Sequence, residues 1–142
     1  MDSHTVLFLR ADKGKGGQGM GIQHRIDGDI VEVIVAGHFS IDELLNGFRL
    51  MIEDENLPHK SPVLVNVTDS EEIPPLETIE QISSILSAGR EKLGSRLAIL
   101  VANTIRYGRA RQLGMLLEST GIQSQPFYDR NSAMLWLQAE ES

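Results

Sequence analysis

The sequence predicts a mixed α/β fold: a mostly parallel β-sheet with an N-terminal β-hairpin and about four helices, in the order ββαβαβαβα. Residues 97–137 alternate between apolar runs of strand length and segments of helical periodicity. Asp27 and Gly28 stand between two runs rich in β-branched residues, which is typical of a tight hairpin turn. Strands that alternate with helices are joined by right-handed crossovers and lie parallel. We therefore expect one antiparallel edge strand beside a parallel remainder.

The two strands of the hairpin are predicted at residues 22–27 and 30–39. The second is apolar at most positions, and Glu32 is the exception within its core. A strand without polar and apolar alternation is typical of the centre of a sheet, where both faces are covered. Ser40 follows this strand and is a favourable N-cap. The helix after it carries one apolar stripe, formed by Ile41, Leu44, Leu45, Phe48 and Ile52.

The middle of the chain repeats the pattern of strand, loop and helix. Residues 63–67 are predicted as a short buried strand, and residues 69–75 as an acidic loop that contains two prolines. The helix that follows is expected to end at Gly89 or Gly94. Its apolar face is formed by Leu76, Ile79, Ile82 and Leu86.

The last third of the chain is predicted to contain two strands, at residues 97–102 and 125–128, each followed by a helix. The first of these helices is capped by Asn103 or Thr104 and stops before Gly121, and the second is capped by Asp129. The apolar face of the first consists of Ala110, Leu113, Gly114 and Leu117, and that of the second of Ala133, Trp136 and Leu137.

Length and composition favour a single globular domain. The chain has 142 residues, and we place the domain at residues 22–142, behind a flexible glycine-rich tail at residues 1–21. No apolar run approaches the roughly 18 residues of a membrane span. The net charge of −7 disfavours nucleic-acid binding, and the absence of cysteine excludes disulfides and thiolate metal sites. We therefore expect a cytoplasmic protein.

Charge is distributed unevenly along the chain. Residues 42–80 hold ten acidic residues against Arg49 and Lys60, whereas residues 90–111 hold six basic residues against Glu91. This asymmetry is compatible with two oppositely charged solvated faces, or with a patch near Arg106 that binds an anion or a partner.

Motifs of cofactor, metal and catalytic sites are weak. Gly14, Gly16 and Gly19 match G-x-G-x-x-G, but a hairpin rather than a helix follows them, so we expect no cofactor. The four histidines are not spaced as metal ligands, and we interpret His38 as a hydrogen-bonded residue at a strand end. Because no nucleophile is paired with a base, we do not expect an enzyme.

Arg106 is the strongest candidate for ligand binding. It lies on the same side of its helix as the apolar stripe, and in the first turn that side is expected to face the carboxyl edge of the sheet. Ligands of open α/β folds bind at this edge, and the N–H groups of a helix start attract anions. The alternative is an ion pair between Arg106 and a loop acid, Asp69 or Asp129. Arg109 and Arg111 are expected to point elsewhere, into solvent.

Several polar side chains should meet at the same edge, because they follow neighbouring strands. They are Asp69, Ser70, Asn103, Thr104, Tyr107, Asp129 and Arg130. The candidate ligand-binding set that we take from them and from the helix start is Asp69, Ser70, Thr104, Arg106 and Tyr107.

The last 40 residues carry a pattern that resembles a known family. Its features are Tyr107-Gly108 followed by Ala110-Arg111, and Phe127 with Asp129, Ala133, Trp136 and Leu137. With the element order, this pattern resembles the SpoIIAA-like branch of the STAS fold, which includes anti-sigma-factor antagonists and sulfate-transporter tails. The resemblance covers about residues 22–138.

The resemblance implies a bacterial regulatory module. Anti-sigma-factor antagonists are switched by phosphorylation of a serine in a D-S-x-G-type motif at the start of the second helix. The corresponding loop here reads VTDSEEIPPLETIEQ, with two prolines and no glycine after the serine. Ser70 and Thr78 stand in a similar place and are the candidate phosphorylation sites. Other proteins with SpoIIAA-like domains look like lipid-binding or otherwise uncharacterised small domains.

Two function hypotheses follow. The first is a non-enzymatic regulatory or interaction module that binds a protein partner or a second copy of itself. The second is a protein that binds a small anionic or lipid-like ligand beside Arg106. An exposed apolar patch or a flat charged face would favour the first. A concave apolar pocket of about several hundred Å³ beside Arg106 would favour the second.

Overall fold

Five strands form one sheet in the order β1-β2-β3-β4-β5 in a computed structural model, which describes residues 21–139. The strands are β1 (Gly21–Asp27), β2 (Ile30–Gly37), β3 (Ser61–Ser70), β4 (Leu93–Leu100) and β5 (Gln123–Phe127). The helices are α1 (Ile41–Glu53), α2 (Leu76–Ala88), α3 (Thr104–Leu117) and α4 (Arg130–Gln138), with a short 3₁₀ turn at Glu118–Thr120. The predicted tail, apart from Gly21, lies outside the described residues.

The sheet has the predicted topology. Strand β1 pairs antiparallel with β2, and every other neighbouring pair is parallel. Because successive parallel strands are also neighbours in space, right-handed crossovers carry α1, α2 and α3 over the same face. Helix α4 follows the last strand, needs no crossover and packs on the opposite face.

Each face of the sheet has its own apolar core. On the larger side, α1, α2 and α3 contribute side chains such as Phe48, Ile82 and Leu117, which pack with the β2, β3 and β4 strands. On the other side, Ala133 and Leu137 of α4 pack with a smaller set of strand residues: Ile30, Leu64, Ala98 and Leu100. The central strands are therefore covered on both faces, as their continuous apolar sequences predict.

The strand bounds differ from the predicted ones at polar positions. Strand β3 continues through Asp69 and Ser70 because Ala36 and Gly37 of β2 pair with them. Strand β2 ends at Gly37, whose φ of 67° leaves the extended conformation, rather than at Phe39. Strand β4 begins at Leu93, where it pairs with Ser61. Pairing with a neighbouring strand thus extends strands into segments that have no apolar pattern.

The helix starts follow from side-chain caps. Ser40 and Glu43 form a reciprocal capping box on α1, and Asp129 caps α4. Of the two residues predicted to cap α3, Asn103 does so, because its side-chain oxygen accepts a hydrogen bond from the backbone N–H of Arg106 at 3.0 Å. This cap fixes the first turn of α3, in which Arg106 lies.

Glu32 is buried in β2 and is the centre of a charge cluster on the α4 side of the sheet. Its carboxylate accepts hydrogen bonds from Arg130 at 2.6 Å, from Arg25 at 3.2 Å and from Asn66 at 3.3 Å. Burial has the largest single effect on the pKa of Glu32 and raises it, but Arg130, Asn66 and Arg25 together outweigh burial and hold the pKa below 4.5. The cluster joins β1, β2, β3 and the start of α4.

Histidine 24 provides a second polar link, between β1 and the end of α1. His24 and Asp54 approach to 2.7 Å, and both side chains are largely buried. Among the histidines, only His38 was interpreted from the sequence as a held residue, and His24 was missed, because it is the antiparallel strand β1 that brings His24 beside the C-cap of α1. No helix in the described range 21–139 is long and apolar enough to cross a bilayer.

Candidate functional site

An apolar cavity of about 80 Å³ lies at the carboxyl ends of β2, β3 and β4. Its walls come from these strands and from α1, α2 and α3, so all three crossover helices contribute to it. The apolar lining includes Val35, Phe39, Phe48, Val65, Ile79 and Leu113. Because the carboxyl edge is where ligands enter open α/β sheets, this cavity is the candidate binding site.

The mouth of the cavity is crossed by residues 71–75, which we call the strap. This segment joins β3 to α2, and Glu72, Ile73 and Pro74 line the cavity from above. The backbone N–H of Glu71 donates to the carbonyl of Gly37 at 3.0 Å. The hydroxyl of Ser70 donates to the carbonyl of Glu72 at 2.9 Å. The strap is thus attached to the ends of β2 and β3.

Two arginines of α3 attach the strap from the other side. The guanidinium group of Arg106 donates to the backbone carbonyl of Glu72 at 2.9 Å, and that of Arg109 donates to the carbonyl of Pro74 at 3.1 Å. Both side chains are partly buried and line the cavity. Because residues three apart lie on the same side of a helix, Arg109 reaches the strap beside Arg106. The expectation that Arg109 points into solvent was wrong.

The charge of these two arginines is not neutralised by a carboxylate. Within residues 21–139, neither guanidinium group takes part in an ion pair, and their partners are the two strap carbonyls and the amide oxygen of Gln112. The alternative that Arg106 forms an ion pair with Asp69 or Asp129 was wrong, because its guanidinium group donates instead to the strap carbonyl of Glu72. Two partly buried cations with only neutral acceptors form an attractive site for an anion.

His38 holds the outer side of the strap. Its Nδ1 lies 2.8 Å from a carboxylate oxygen of Glu72, and its Nε2 lies 3.0 Å from one of Glu71. The hydrogen bond with Glu72 and the charge of Glu71 raise the pKa of His38 above its ordinary value of 6.5. The imidazole is 69% exposed, so this pairing is a solvated one. His38 is therefore a hydrogen-bonded residue that follows a strand, as the sequence indicated.

The other residues of the predicted binding set are less close to the cavity. Ser70 lines it, but Asp69 and Thr104 are exposed and belong to no wall of it. Tyr107 stacks on Tyr128 with ring centroids 5.1 Å apart, and it lies outside the cavity lining. The cavity therefore brings Arg106 and Ser70 together and leaves the other three residues around it.

The two candidate phosphorylation sites are both buried. Ser70 is 8% exposed and its hydroxyl is hydrogen-bonded to the strap, and Thr78 is 1% exposed within α2. A kinase would reach either hydroxyl only after the strap or the start of α2 had moved. Phosphorylation at these residues stays a prediction that depends on such a movement.

Four exposed apolar side chains lie at the carboxyl edge of the sheet, where the strap also lies. They are Ile41 at the start of α1, Ile73 in the strap, Leu76 at the start of α2 and Ile105 in the first turn of α3, and we call them the apolar rim. Their exposed fractions range from 38% for Ile73 to 65% for Ile105. All four lie at the carboxyl edge, because each follows a parallel strand.

No cluster of metal-ligating side chains is found in the part of the chain that the structure describes. Gly14, Gly16 and Gly19, which match the dinucleotide pattern, lie outside that part. Arg109 and the strap are the features of the site that sequence reasoning missed. The spacing of Arg109 three residues after Arg106 was an available signal, whereas the position of the strap depends on long-range contacts.

Comparison with solved structures supports the fold. The chain is similar to an uncharacterized protein of the DUF3478 family from Shewanella loihica PV-4, which has a SpoIIAA-like fold. The TM-score is 0.55 at 14% sequence identity, and the match covers 84% of this chain and 94% of the other. No protein-family model and no curated protein matches the sequence. The architecture is thus SpoIIAA-like, as the resemblance in the last third of the chain predicts.

Proposed function

We propose that this SpoIIAA-like domain is a non-enzymatic binding module that takes a small anionic ligand with an apolar body at the carboxyl edge of its sheet. One observation carries the proposal: Arg106 and Arg109 lie at the mouth of an apolar cavity, and their described partners are neutral oxygens. An apolar ligand body would fill the cavity, and an anionic group would meet the two guanidinium groups.

The size of the cavity shapes this proposal. At about 80 Å³ it is smaller than the pocket of about several hundred Å³ that the sequence led us to expect of a ligand-binding protein, and smaller than the roughly 300–1,000 Å³ of typical drug-sized sites. A ligand of lipid size therefore requires the strap to move outward. The strap has no regular secondary structure and is held by a few polar contacts, which favours such a movement over a rearrangement of the core.

Native mass spectrometry of the purified protein tests the proposal directly. With a panel of carboxylates and phosphates added at millimolar concentration, we expect the wild-type protein to bind a small molecule that is lost in Arg106→Ala and retained in Arg111→Ala. Arg111 is the matched control, because it is an exposed arginine of the same helix and lies outside the cavity lining. A ligand that both variants retain would contradict a site at Arg106.

A second candidate function is supported by the apolar rim. Exposed apolar side chains that cluster at one edge are typical of a surface that binds a protein. The rim and the strap share Ile73, so movement of the strap would also change the rim. A regulatory module of the bacterial cytoplasm, with a protein partner or a second copy of itself at this edge, stays a prediction of the sequence and the resemblance.

Light scattering after size-exclusion chromatography tests self-association at the rim. If a second copy binds there, the wild-type protein is a dimer, and Ile105→Glu, which places a charge at the most exposed rim residue, is a monomer. Leu135→Glu is the control, because Leu135 is 71% exposed but lies in α4 on the opposite face. A wild-type monomer, or a dimer that only Leu135→Glu disrupts, would contradict self-association through the rim.

A further inference from the structure

We propose that the ligand is a short-chain aliphatic monocarboxylate whose carboxylate replaces the carbonyl oxygens of Glu72 and Pro74 at Arg106 and Arg109. This inference rests on the proposed function and names the chemical class of its ligand. It depends on four features of the site: the acceptors that the arginines hold now, the charges around the strap, the polarity of the cavity walls and the volume of the cavity.

The first feature is the exchange of hydrogen-bond acceptors. Both guanidinium groups donate to neutral backbone carbonyls. A carboxylate forms hydrogen bonds roughly twice as strong as a neutral acceptor does, and its two oxygens match the planar fork of a guanidinium group. Replacement of the strap carbonyls by a carboxylate is therefore favourable at the two arginines.

The exchange leaves few buried groups without partners. The carbonyl of Glu72 also accepts a hydrogen bond from the hydroxyl of Ser70 at 2.9 Å, so it keeps a partner after Arg106 is withdrawn. Pro74 is partly exposed and precedes the exposed Pro75, so water can reach its carbonyl. The penalty for an unsatisfied buried acceptor, about 1–3 kcal/mol, is thus largely avoided.

The second feature is the acidic surface around the strap, which favours a monoanion. Asp69 and Glu71 are exposed, and the carboxylate of Glu72 is directed toward His38. A phosphate monoester carries a charge near −2 at neutral pH, so the arginines attract it more strongly but these carboxylates also repel it more strongly, and its dehydration cost rises with the square of its charge. Two arginines against this background therefore select a single negative charge.

The third feature is the lack of free polar groups on the cavity walls. Apart from the two arginines and Glu72, Ser70 is the polar residue of the lining, and its hydroxyl is already hydrogen-bonded to the strap. An amino or hydroxyl group on the ligand body would be buried without a partner, which costs affinity. The body of the ligand is therefore a plain hydrocarbon.

The fourth feature sets the length of that hydrocarbon. A volume of about 80 Å³ is well above the roughly 10–15 Å³ that one water molecule needs and well below the roughly 300–1,000 Å³ of drug-sized sites, so it admits a small group of several heavy atoms. A chain of about three to five carbon atoms fits this space, and a branched end suits a cavity bounded by Val35, Phe48 and Ile79. Longer chains would meet the packed core below.

Isothermal titration calorimetry with sodium 3-methylbutanoate at pH 7 and low salt tests the inference. We expect a Kd on the order of 1 mM or tighter. Arg106→Gln and Arg109→Gln should each weaken binding at least tenfold, and Arg111→Gln should leave it unchanged. Arg106→Lys keeps the charge but loses the planar fork, and it should also weaken binding. Thermal unfolding of each variant confirms that it is folded.

Three further probes separate failure of the ligand class from failure of the proposed function. 3-Methylbutanamide, which lacks the charge, and inorganic phosphate should each bind at least tenfold more weakly than 3-methylbutanoate. If phosphate or dodecanoate binds more tightly in a manner that depends on Arg106, the class is wrong while the proposed function stands. If no probe shows binding that depends on Arg106, both are wrong.

Discussion

Arg106 of α3 donates a hydrogen bond to the backbone carbonyl of Glu72, at 2.9 Å and across 34 positions of the sequence. This contact joins the start of α3, which follows β4, to the strap, which follows the neighbouring strand β3. Because the donor is a cation and the acceptor a neutral carbonyl, the contact satisfies the hydrogen-bonding capacity of the strap without neutralising the arginine. The same geometry closes the cavity and leaves a positive charge at its mouth.

The first prediction concerns the stability of the strap. Arg106→Gln and Arg109→Gln should each speed amide hydrogen exchange at Glu71, whose N–H donates to the carbonyl of Gly37, because the strap loses an attachment to α3. We expect an acceleration of about 5- to 30-fold, which corresponds to about 1–2 kcal/mol, the lower part of the range for a charged hydrogen bond because both arginines are partly exposed. Arg111→Gln is the control, and equal acceleration in it would show a general loss of stability instead.

The second prediction concerns the protonation of His38. Its pKa should lie above 6.5 in a histidine NMR titration, because Glu72 and Glu71 favour the imidazolium. Glu72→Gln should lower the pKa more than Glu71→Gln does, since the hydrogen bond with Glu72 is the larger cause. A pKa at or below 6.5 in the wild-type protein would contradict the observed pairing.

The sign of this pH dependence follows from linkage. The pKa of His38 is raised in the folded state. The stability that its pairing gives to the folded strap is therefore fully present below the ordinary pKa of 6.5 and is lost as pH rises through the raised value. The strap should therefore exchange faster above that pH than intrinsic exchange chemistry predicts. A His38→Gln variant should show no such excess.

The third prediction concerns Glu32 and acid stability. Because its pKa is lowered in the folded state, the carboxylate stabilises the fold above the ordinary value of 4.5 and ceases to do so as pH falls through the lowered value. Glu32→Gln should reduce the free energy of unfolding by about 1–3 kcal/mol at pH 7, which is less than the roughly 3–5 kcal/mol of a fully buried pair because both arginines are partly exposed. Urea denaturation at pH 7 and pH 3 measures this. A difference between variant and wild type that does not narrow at pH 3 would argue against the assignment.

The fourth prediction uses two helical glycines as a matched pair. A Cβ atom at Gly47 of α1 would come within 2.2 Å of Ile22 on β1, whereas one at Gly108 of α3 would meet nothing within 4 Å. Alanine gains about 1 kcal/mol over glycine in a helix interior, so Gly108→Ala should stabilise the protein. Gly47→Ala should destabilise it by about 1–3 kcal/mol, because overpacking outweighs that gain. Equal effects in thermal unfolding would mean that α1 is not packed closely on β1.

The sequence predicted the order of the elements because each has a local signal. Apolar periodicity indicated the helices, Asp27-Gly28 indicated the hairpin turn, and Ser40 and Asp129 indicated two helix starts. Each of these signals depends on residues that are close together in the chain, so it can be recognised in a single sequence. The likeness to a SpoIIAA-like structure confirms the fold that they predict.

The parts that sequence reasoning missed depend on distant residues. The polar end of β3, at Asp69 and Ser70, is extended because Ala36 and Gly37 pair with it, although its own sequence resembles a loop. Arg109 lies three residues after Arg106 on the same side of α3, but its partner, the carbonyl of Pro74, stands 35 positions earlier in the chain. The small size of the cavity likewise results from the strap, whose path no local pattern fixes. Arg106 was identified because two local signals locate it: its spacing from the apolar residues of its helix, and the direction of the parallel strands, which sets the edge of the sheet that the helix start faces.

The most direct test of the account is a two-dimensional NMR titration that follows the Nε–Hε signals of Arg106, Arg109 and Arg111 as 3-methylbutanoate is added. The signals of Arg106 and Arg109 should shift together with one saturating curve, because both guanidinium groups exchange a strap carbonyl for the carboxylate. The signal of Arg111, which is exposed and outside the cavity lining, should not move. Uniform small shifts of all three arginines, or no shifts at Arg106 and Arg109, would contradict it.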